Sequence, residues 1–361
     1  MDLTLGTQLR GLPGPIMVTG HTGFKGTWLT FLLERLGVPV VGFSLPPEKD
    51  SLFDRAKRTG AISEAFQDIR NVEALTNFMK KHQPSALIHL AAQPLVLESY
   101  KTPRDTFETN VMGTVNVLEV AFRIDSVRAV VVTTTDKVYR NDNSGRVFIE
   151  TDSLAGKDPY SASKVGTEAA ISAWQQIAKI SGGPKVVSVR AGNVIGGGDW
   201  ARDRLLPDLV RGLIEGGPIQ IRNPESTRPW QHVLDPLRGY LMALEAILEG
   251  AEFESLNFGP DLDNLTVQQV AEICLQTWAR ASKIEVLDHS LPRNAEALLL
   301  SLNSQQARIA LGWVPRWTQK EAVVSTIQWW DEVLNHEKDP EISCYNSIEF
   351  VLNNPTSHRF N

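Results

Sequence analysis

"PIMVTGHTGFKGTWLTFLLERLG" (residues 15–37) reads as a strand, a glycine-rich turn and a helix in immediate succession. The apolar run "PIMVTG" (15–20) lacks polar alternation, as expected of a strand covered on both faces. "GTWLTFLLERLG" (26–37) has helical spacing and stops at Gly37, and "VPVVGF" (38–43) is a second strand.

The same texture continues along the chain. "NVEALTNFMKKHQ" (71–83) is helical, and "SALIHLAA" (85–92) is a strand ending in small residues. A long helix is expected over about 103–123, followed by the strand "VRAVVVTTT" (127–135). Tyr160 and Lys164 open a helix running towards about 180, before the strand "KVVSVRAG" (185–192). Strands alternating with helices predict an α/β fold built on a Rossmann-type, doubly wound parallel sheet. After Gly192 the chain is richer in Gly, Pro, Arg and Trp, which marks a smaller mixed α/β C-terminal substrate domain. The expected boundaries are 1–191 for the sheet domain, with an interleaved return at about 230–256, and 192–229 with 257–340 for the second. Within the latter, "LGWVPRWTQKEAVVSTIQWWDEVL" (311–334) reads as a packed terminal helix, and 341–361 as a loosely held tail.

Composition narrows the partners. The 361 residues are 42% hydrophobic and 22% charged, ordinary for a globular protein. A net charge of −6 favours neither nucleic acid nor an anionic membrane, so an anionic ligand must be held by local Arg, Lys and backbone N–H groups. Cys274 and Cys344 lack metal-ligand spacing, so no metal is expected and a reducing, cytoplasmic setting fits. Neither a signal peptide nor a membrane-spanning apolar run is evident.

The turn Gly20-His21-Thr22-Gly23-Phe24-Lys25-Gly26 follows the first strand and opens a helix. Glycines at these positions let backbone approach a pyrophosphate at the helix N-terminus, although the same turn serves plain strand–helix packing. Asp68, where a third strand would end, can accept from an adenine amino group, cap a helix or pair with Arg70. Tyr160 and Lys164 stand one helical turn apart and share a face. A nearby ammonium and a nicotinamide cation would lower the phenol pKa and make Tyr160 a base. Thr135 would bond the same substrate hydroxyl. Asp136 and Lys137, beside it, exceed what a simple dehydrogenase requires.

The stretches "VTGHTGFKGTWL", "DIR", "HLAAQPLV", "TNVMGTVN", "TTDK", "DPYSASK", "RAGNVIGGGDWARDRLLPD", "IRNP", "TRPWQHVLDPLRGYL" and "NFGP" span roughly 16–320. Through them the chain resembles the extended short-chain dehydrogenase/reductases that modify nucleotide sugars, and among these the CDP-glucose 4,6-dehydratase group. That resemblance implies C4 oxidation by NAD⁺, loss of water across C5 and C6, and hydride return to C6, in deoxysugar biosynthesis of the O-antigen and lipopolysaccharide kind. Tyr160 would be the base, with Lys164 and Thr135 beside it. Asp136 would be the acid for the 6-hydroxyl, and Lys137 either the C5 base or a cation steadying the enolate. Implied cofactor contacts are Gly20, Thr22, Gly23, Phe24, Lys25 and Gly26, then Ser44, Asp68 and Ile69. Leu90, Ala91, Ala92, Gln93, Asn110, Thr133, Tyr160 and Lys164 complete them. Implied substrate contacts are Gln93, Asn193, Arg204, Leu205, Ile221, Arg222, Arg228 and Arg293, with Arg228 the first choice for phosphate.

The chain reads Ser44-Leu45-Pro46-Pro47 after the second strand, without an acid for the ribose hydroxyls, so NAD over NADP is a leaning. Two further departures concern substrate: Leu97 stands where the family has Arg, and Leu298 and Leu299 where it has His and Tyr. A homodimer, or a tetramer, is expected through the helices near 103–123 and 160–180. The rivals are a C4 epimerase, which needs no Asp136–Lys137 pair, a dehydratase of another nucleotide sugar, and a silent dinucleotide-binding scaffold.

Overall fold

The computed structural model describes residues 5–261, 264–278, 283–286 and 300–353. Its centre is built from β1 (Ile16–Thr19), α1 (Phe24–Arg35), β2 (Val40–Ser44), β3 (Ser63–Phe66), α2 (Val72–His82) and β4 (Ala86–His89). It continues with α3 (Gly113–Ala121), β5 (Ala129–Thr133), α4 (Pro159–Ser181) and β6 (Lys185–Ala191). After α5 (Leu205–Glu215), α6 (Leu234–Leu248) returns the chain to the sheet as β7 (Ser255–Phe258). The seven strands run in the order β7-β6-β5-β4-β1-β2-β3, every pairing parallel. This is the doubly wound sheet that the strand–helix alternation predicts.

Both faces are buried. Ile16 and Val18 of β1 join Trp28, Leu29 and Leu32 of α1 on one side, while Met17 joins Phe43, Leu87, Val117 and Val130 on the other. The strand order reverses between β1 and β4, whose neighbours lie on opposite sides. A crevice therefore opens beyond their carboxyl ends, where the Gly20 turn and Leu90–Gln93 emerge.

Beyond β6 the elements are small. Ile219–Ile221 pairs with Ile284–Val286, Thr227–Arg228 with Leu265–Thr266, and Gln231–His232 with Val194–Ile195. They pack with α5, α7 (Val267–Trp278) and α8 (Gln319–Asn335).

Two expectations need correction. The single helix over 103–123 is instead a short helix Pro103–Phe107, a π-helical turn Glu108–Met112, and α3. The Asn110 carbonyl accepts from the hydroxyls of Thr114 (2.7 Å) and Thr167 (2.8 Å), which compete for a helical acceptor. The expected tail is, over Pro340–Asn353, a helix α9 docked on α1 with Ser343, Cys344, Ile348, Val351 and Leu352 buried.

Candidate active site

The glycine turn is shaped by packing at both ends. Gly20 has φ +74°, and a Cβ there would lie 2.7 Å from the Ala91 nitrogen. A Cβ on Gly26 would lie 2.1 Å from the Gly20 carbonyl oxygen. Gly23 is different: it is exposed, precedes α1 and offers no side chain to cap it. The first turn of α1 thus presents backbone donors and the positive end of the helix dipole, with Lys25 and no acid. Burial, then the charges of Arg204 and Lys164, bring Lys25 down to about 8, against Asp136 and Asp199. This donor set fits a dinucleotide pyrophosphate.

The remaining cofactor candidates divide by what their side chains do. Thr22 and Ser44 bond one another (2.8 Å), and Thr22 donates to the Leu45 carbonyl. Asp68 pairs with Arg70, whose Nη2 donates at 2.7 Å, while Asn71 caps α2. Burial would push the Asp68 carboxyl up, but the Arg70 bonds prevail and hold it below its ordinary value. Ile69 is a core residue beneath Gly113. Leu90 and Ala91 are tied to Thr19, and the half-buried Ala92 follows them. Asn110 holds the Gln93 backbone through Oδ1 (2.8 Å) and Nδ2 (3.0 Å), and also donates to Ser163. The Gln93 amide is engaged with Leu95 and Thr106, which makes it a brace for its own loop.

The catalytic candidates converge at the end of β5. An N-terminal box at Asp158 and Ser161 starts α4, setting Tyr160 and Lys164 on its inner face. Lys164 donates to the Thr133 carbonyl (3.2 Å), and Thr133 to the His89 carbonyl (2.9 Å). Burial lowers Lys164 to about 8, and Glu168 opposes the fall. Thr135 hydrogen-bonds Tyr160 and the Asp136 carboxylate, the latter at 3.0 Å. Asp136 is 1% exposed, and its Oδ2 has no hydrogen-bond partner among the described residues. Burial pushes its carboxyl up, while Lys137, Thr135, Arg228 and Lys25 pull the other way. A buried carboxyl of this kind can hold a proton for delivery. The half-buried Lys137 is its neighbour.

The phenol departs from expectation. Tyr160 is pushed up to about 12, because burial outweighs the Thr135 bond and Arg204, and Asp136 adds to the rise. In the protein alone, the Thr135 bond and Arg204 do not bring it below its ordinary value; the nicotinamide charge invoked by the sequence reading would have to.

Of the substrate candidates, Arg204 and Arg228 act on this centre. Arg204 heads α5 just before Leu205, donates to Asp199 at 3.0 Å, and lies close enough to Tyr160 for their charges to interact. Arg228 acts on Asp136. Asn193 is half-buried, its carbonyl accepting from Gln231. Ile221 is 1% exposed and packs in the core, and Arg222 faces solvent next to it. Leu97 is half-buried in the helix Val96–Lys101. Arg293, Leu298 and Leu299 lie outside the described residues.

Sequence reasoning singled out neither Asp199, although it stands in the quoted stretch "RAGNVIGGGDWARDRLLPD", nor Gly192, where a Cβ would come within 3.2 Å of Asp136 Oδ2. It also missed Glu168 and Arg190, a buried pair. Glu168 had a signal, since it stands one turn beyond Lys164 on the same helix face.

Comparison with known proteins agrees with the fold. The model of the NAD dependent epimerase/dehydratase family matches residues 16–259. The chain is 41% identical to the CDP-glucose 4,6-dehydratase of Salmonella typhimurium, over 87% of this chain and 89% of that protein. Among solved structures, UDP-glucose 4-epimerase from Thermotoga maritima superposes with a TM-score of 0.77 at 22% identity, covering 89% of this chain and 99% of that one. The dTDP-glucose 4,6-dehydratase of Streptomyces venezuelae, with NAD bound, gives 0.76 at 24% identity, covering 91% and 99%. The chain belongs to the NAD dependent epimerase/dehydratase family.

Proposed function

We propose that this protein is an NAD-dependent nucleotide-sugar 4,6-dehydratase, a hydro-lyase, acting on CDP-glucose to give CDP-4-keto-6-deoxyglucose. The observation that carries the reading is the buried Asp136 carboxyl, one oxygen unpartnered among the described residues, in the same cluster as Tyr160. An epimerase, which only oxidises and reduces at C4, has no use for such an acid; a dehydratase must protonate a leaving hydroxyl. The 41% identity to a CDP-glucose enzyme supports the base and sugar.

The α1 N-terminus and the Leu90–Gln93 loop would hold NAD, which when bound would supply a reversible hydride acceptor for C4 and C6. Tyr160 takes the proton of the sugar 4-hydroxyl, with Lys164 and Thr135 aligning it. The resulting ketone acidifies the C5 proton; Lys137 either takes it and returns it to C5 as hydride reaches C6, or steadies the enolate as a cation while solvent water takes and returns the proton. Asp136 gives its proton to the departing 6-hydroxyl, and the C6–O bond breaks with loss of one water. Arg228 and Arg204 supply charge for the pyrophosphate. The test is incubation of the protein and NAD⁺ with CDP-glucose, then with UDP-, dTDP- and GDP-hexoses, scored by mass for loss of water. Loss from CDP-glucose supports the reading; conversion without water loss makes it an epimerase.

The described residues contain no helix long and apolar enough to cross a membrane. We place the enzyme in the cytoplasm as a homodimer, feeding deoxysugar synthesis of the O-antigen kind. Free, buried Cys274 and Cys344 fit a reducing setting, and the exposed Phe107, Met112 and Ile177 fit a helix-mediated contact.

A further inference from the structure

On the same helix as Tyr160 and Lys164 lies one end of a buried ion pair, Glu168–Arg190. Glu168, on α4, accepts from Arg190 of β6 through Nε (2.8 Å) and Nη2 (2.9 Å). The same carboxylate accepts from Thr134 (2.5 Å) and from Ser188 (2.7 Å). Arg190 donates through Nη1 to the Tyr139 hydroxyl (2.8 Å) and the Glu150 carbonyl (2.9 Å), and the Tyr139 hydroxyl donates to Asn257 Oδ1 (2.7 Å). Thr134 immediately precedes Thr135-Asp136-Lys137, and Tyr139 closes that turn. Thr134 and Tyr139, which flank Thr135-Asp136-Lys137, are therefore bonded to the two partners of one salt bridge, while Glu168 sits one turn past Lys164. A buried pair costs desolvation that a hydrophobic pair would avoid, so it calls for a specific role.

We propose that Glu168, clamped by Arg190, is a positioning residue: it locks the Thr134–Lys137 segment against α4 and carries the countercharge of Lys164. This rests on Tyr160 and Lys164 being the redox pair. Lys164 interacts with groups on each of three elements around it: Lys25 from α1, His89 from β4 and Glu168 on α4 itself. His89 is held neutral by burial, lowered to about 3. Glu168 is the anion among them and sustains the ammonium.

The two links separate experimentally. With NAD⁺ loaded, the C4 oxidation step is followed as the rise in reduced-nicotinamide absorbance on mixing with CDP-glucose, across pH. Thr134→Val cuts the geometric link and leaves the charge, so the rate falls about tenfold or more with KM and the alkaline limb unchanged. Glu168→Gln removes the charge, and the uncompensated Arg190 adds to the effect, so the alkaline limb moves to lower pH as Lys164 loses its proton sooner. Glu168→Asp keeps the charge and retracts the carboxylate; the limb stays and only the rate drops, which also covers the case of Glu168→Gln failing to fold. A wild-type rate in Thr134→Val, or an unmoved limb in a folded Glu168→Gln, overturns the proposal. Tyr160→Phe is the control: if it stays active, the redox-pair reading itself is wrong, whatever the Glu168 variants do.

Discussion

Asp136 is enclosed on one side by Gly192, and that neighbour makes the acid testable at two positions. Asp136→Asn keeps the shape and loses the proton, so elimination should fall by about 10²–10⁴-fold, the range for a general acid, while C4 oxidation continues. The expected result is reduced-nicotinamide absorbance that persists, with no water lost by mass; a dehydration rate near wild type would remove Asp136 from the mechanism. The pH sense follows from the burial that raises its pKa: the proton is present below that pKa and lost above it. The elimination step should therefore fade as pH rises, and this fading should vanish in the Asn variant. Gly192→Ala approaches the same group from outside, since its Cβ would meet Pro229 Cγ at 2.8 Å and Asp136 Oδ2 at 3.2 Å. Turnover should drop by at least about tenfold through displacement of the acid. An Ala variant with normal dehydration would mean that the 192–229 contact yields without moving Asp136.

The elements divide by how local their causes are. α4 begins where Asp158 and Ser161 exchange bonds, with Pro159 in its first turn, so the helix that carries Tyr160 is fixed within a few residues of it. Asp158→Ala should cost about 1 kcal/mol in urea unfolding and should lower turnover as well, because Tyr160 lies in that first turn. Unchanged turnover with the stability loss would place the Tyr160 constraint elsewhere, in the Ser99 hydroxyl that accepts its backbone N–H. β1, the glycine turn and α1 were legible for the same reason, since period and glycine spacing are contiguous in the chain. The π turn at Glu108–Met112 was not, because the groups competing for Asn110 come from Gln93 and Thr167. Asp68 likewise showed neither its Arg70 partner nor that Asn71 takes the capping role, and the Glu168–Arg190 pair joins elements that no local pattern connects.

At the scale of the molecule, the C-terminal segment shows what a sequence read in order conceals. In "PEISCYNSIEFVLN" (340–353) Cys344, Ile348, Val351 and Leu352 recur at helical spacing, but the exposed Ile342 and Phe350 lie off that stripe and blur it, and nothing nearby in the chain tells which face is covered. The covering surface is α1, more than three hundred residues earlier along the chain: Tyr345 meets Phe31 edge-on at 5.4 Å, Arg35 pairs with Glu349, and Arg58 bridges Glu34 and Glu341. Ile348 and Cys344 are fully buried in the same core as Trp28 and Leu32. α9 thus braces the back of the helix whose N-terminus faces the crevice. Ile348→Ala should cost about 2–5 kcal/mol, as large-to-small changes in such cores do. Because α1 presents the pyrophosphate donors, the loosening should also weaken NAD⁺ binding, measured by calorimetry well below the melting temperature. Turnover at saturating NAD⁺ should stay near wild type, since Tyr160, Lys164 and Asp136 belong to other elements. A stability loss with unchanged NAD⁺ affinity would show α9 to be a passive cover, and a loss of turnover at saturation would show that the brace reaches the catalytic cluster itself.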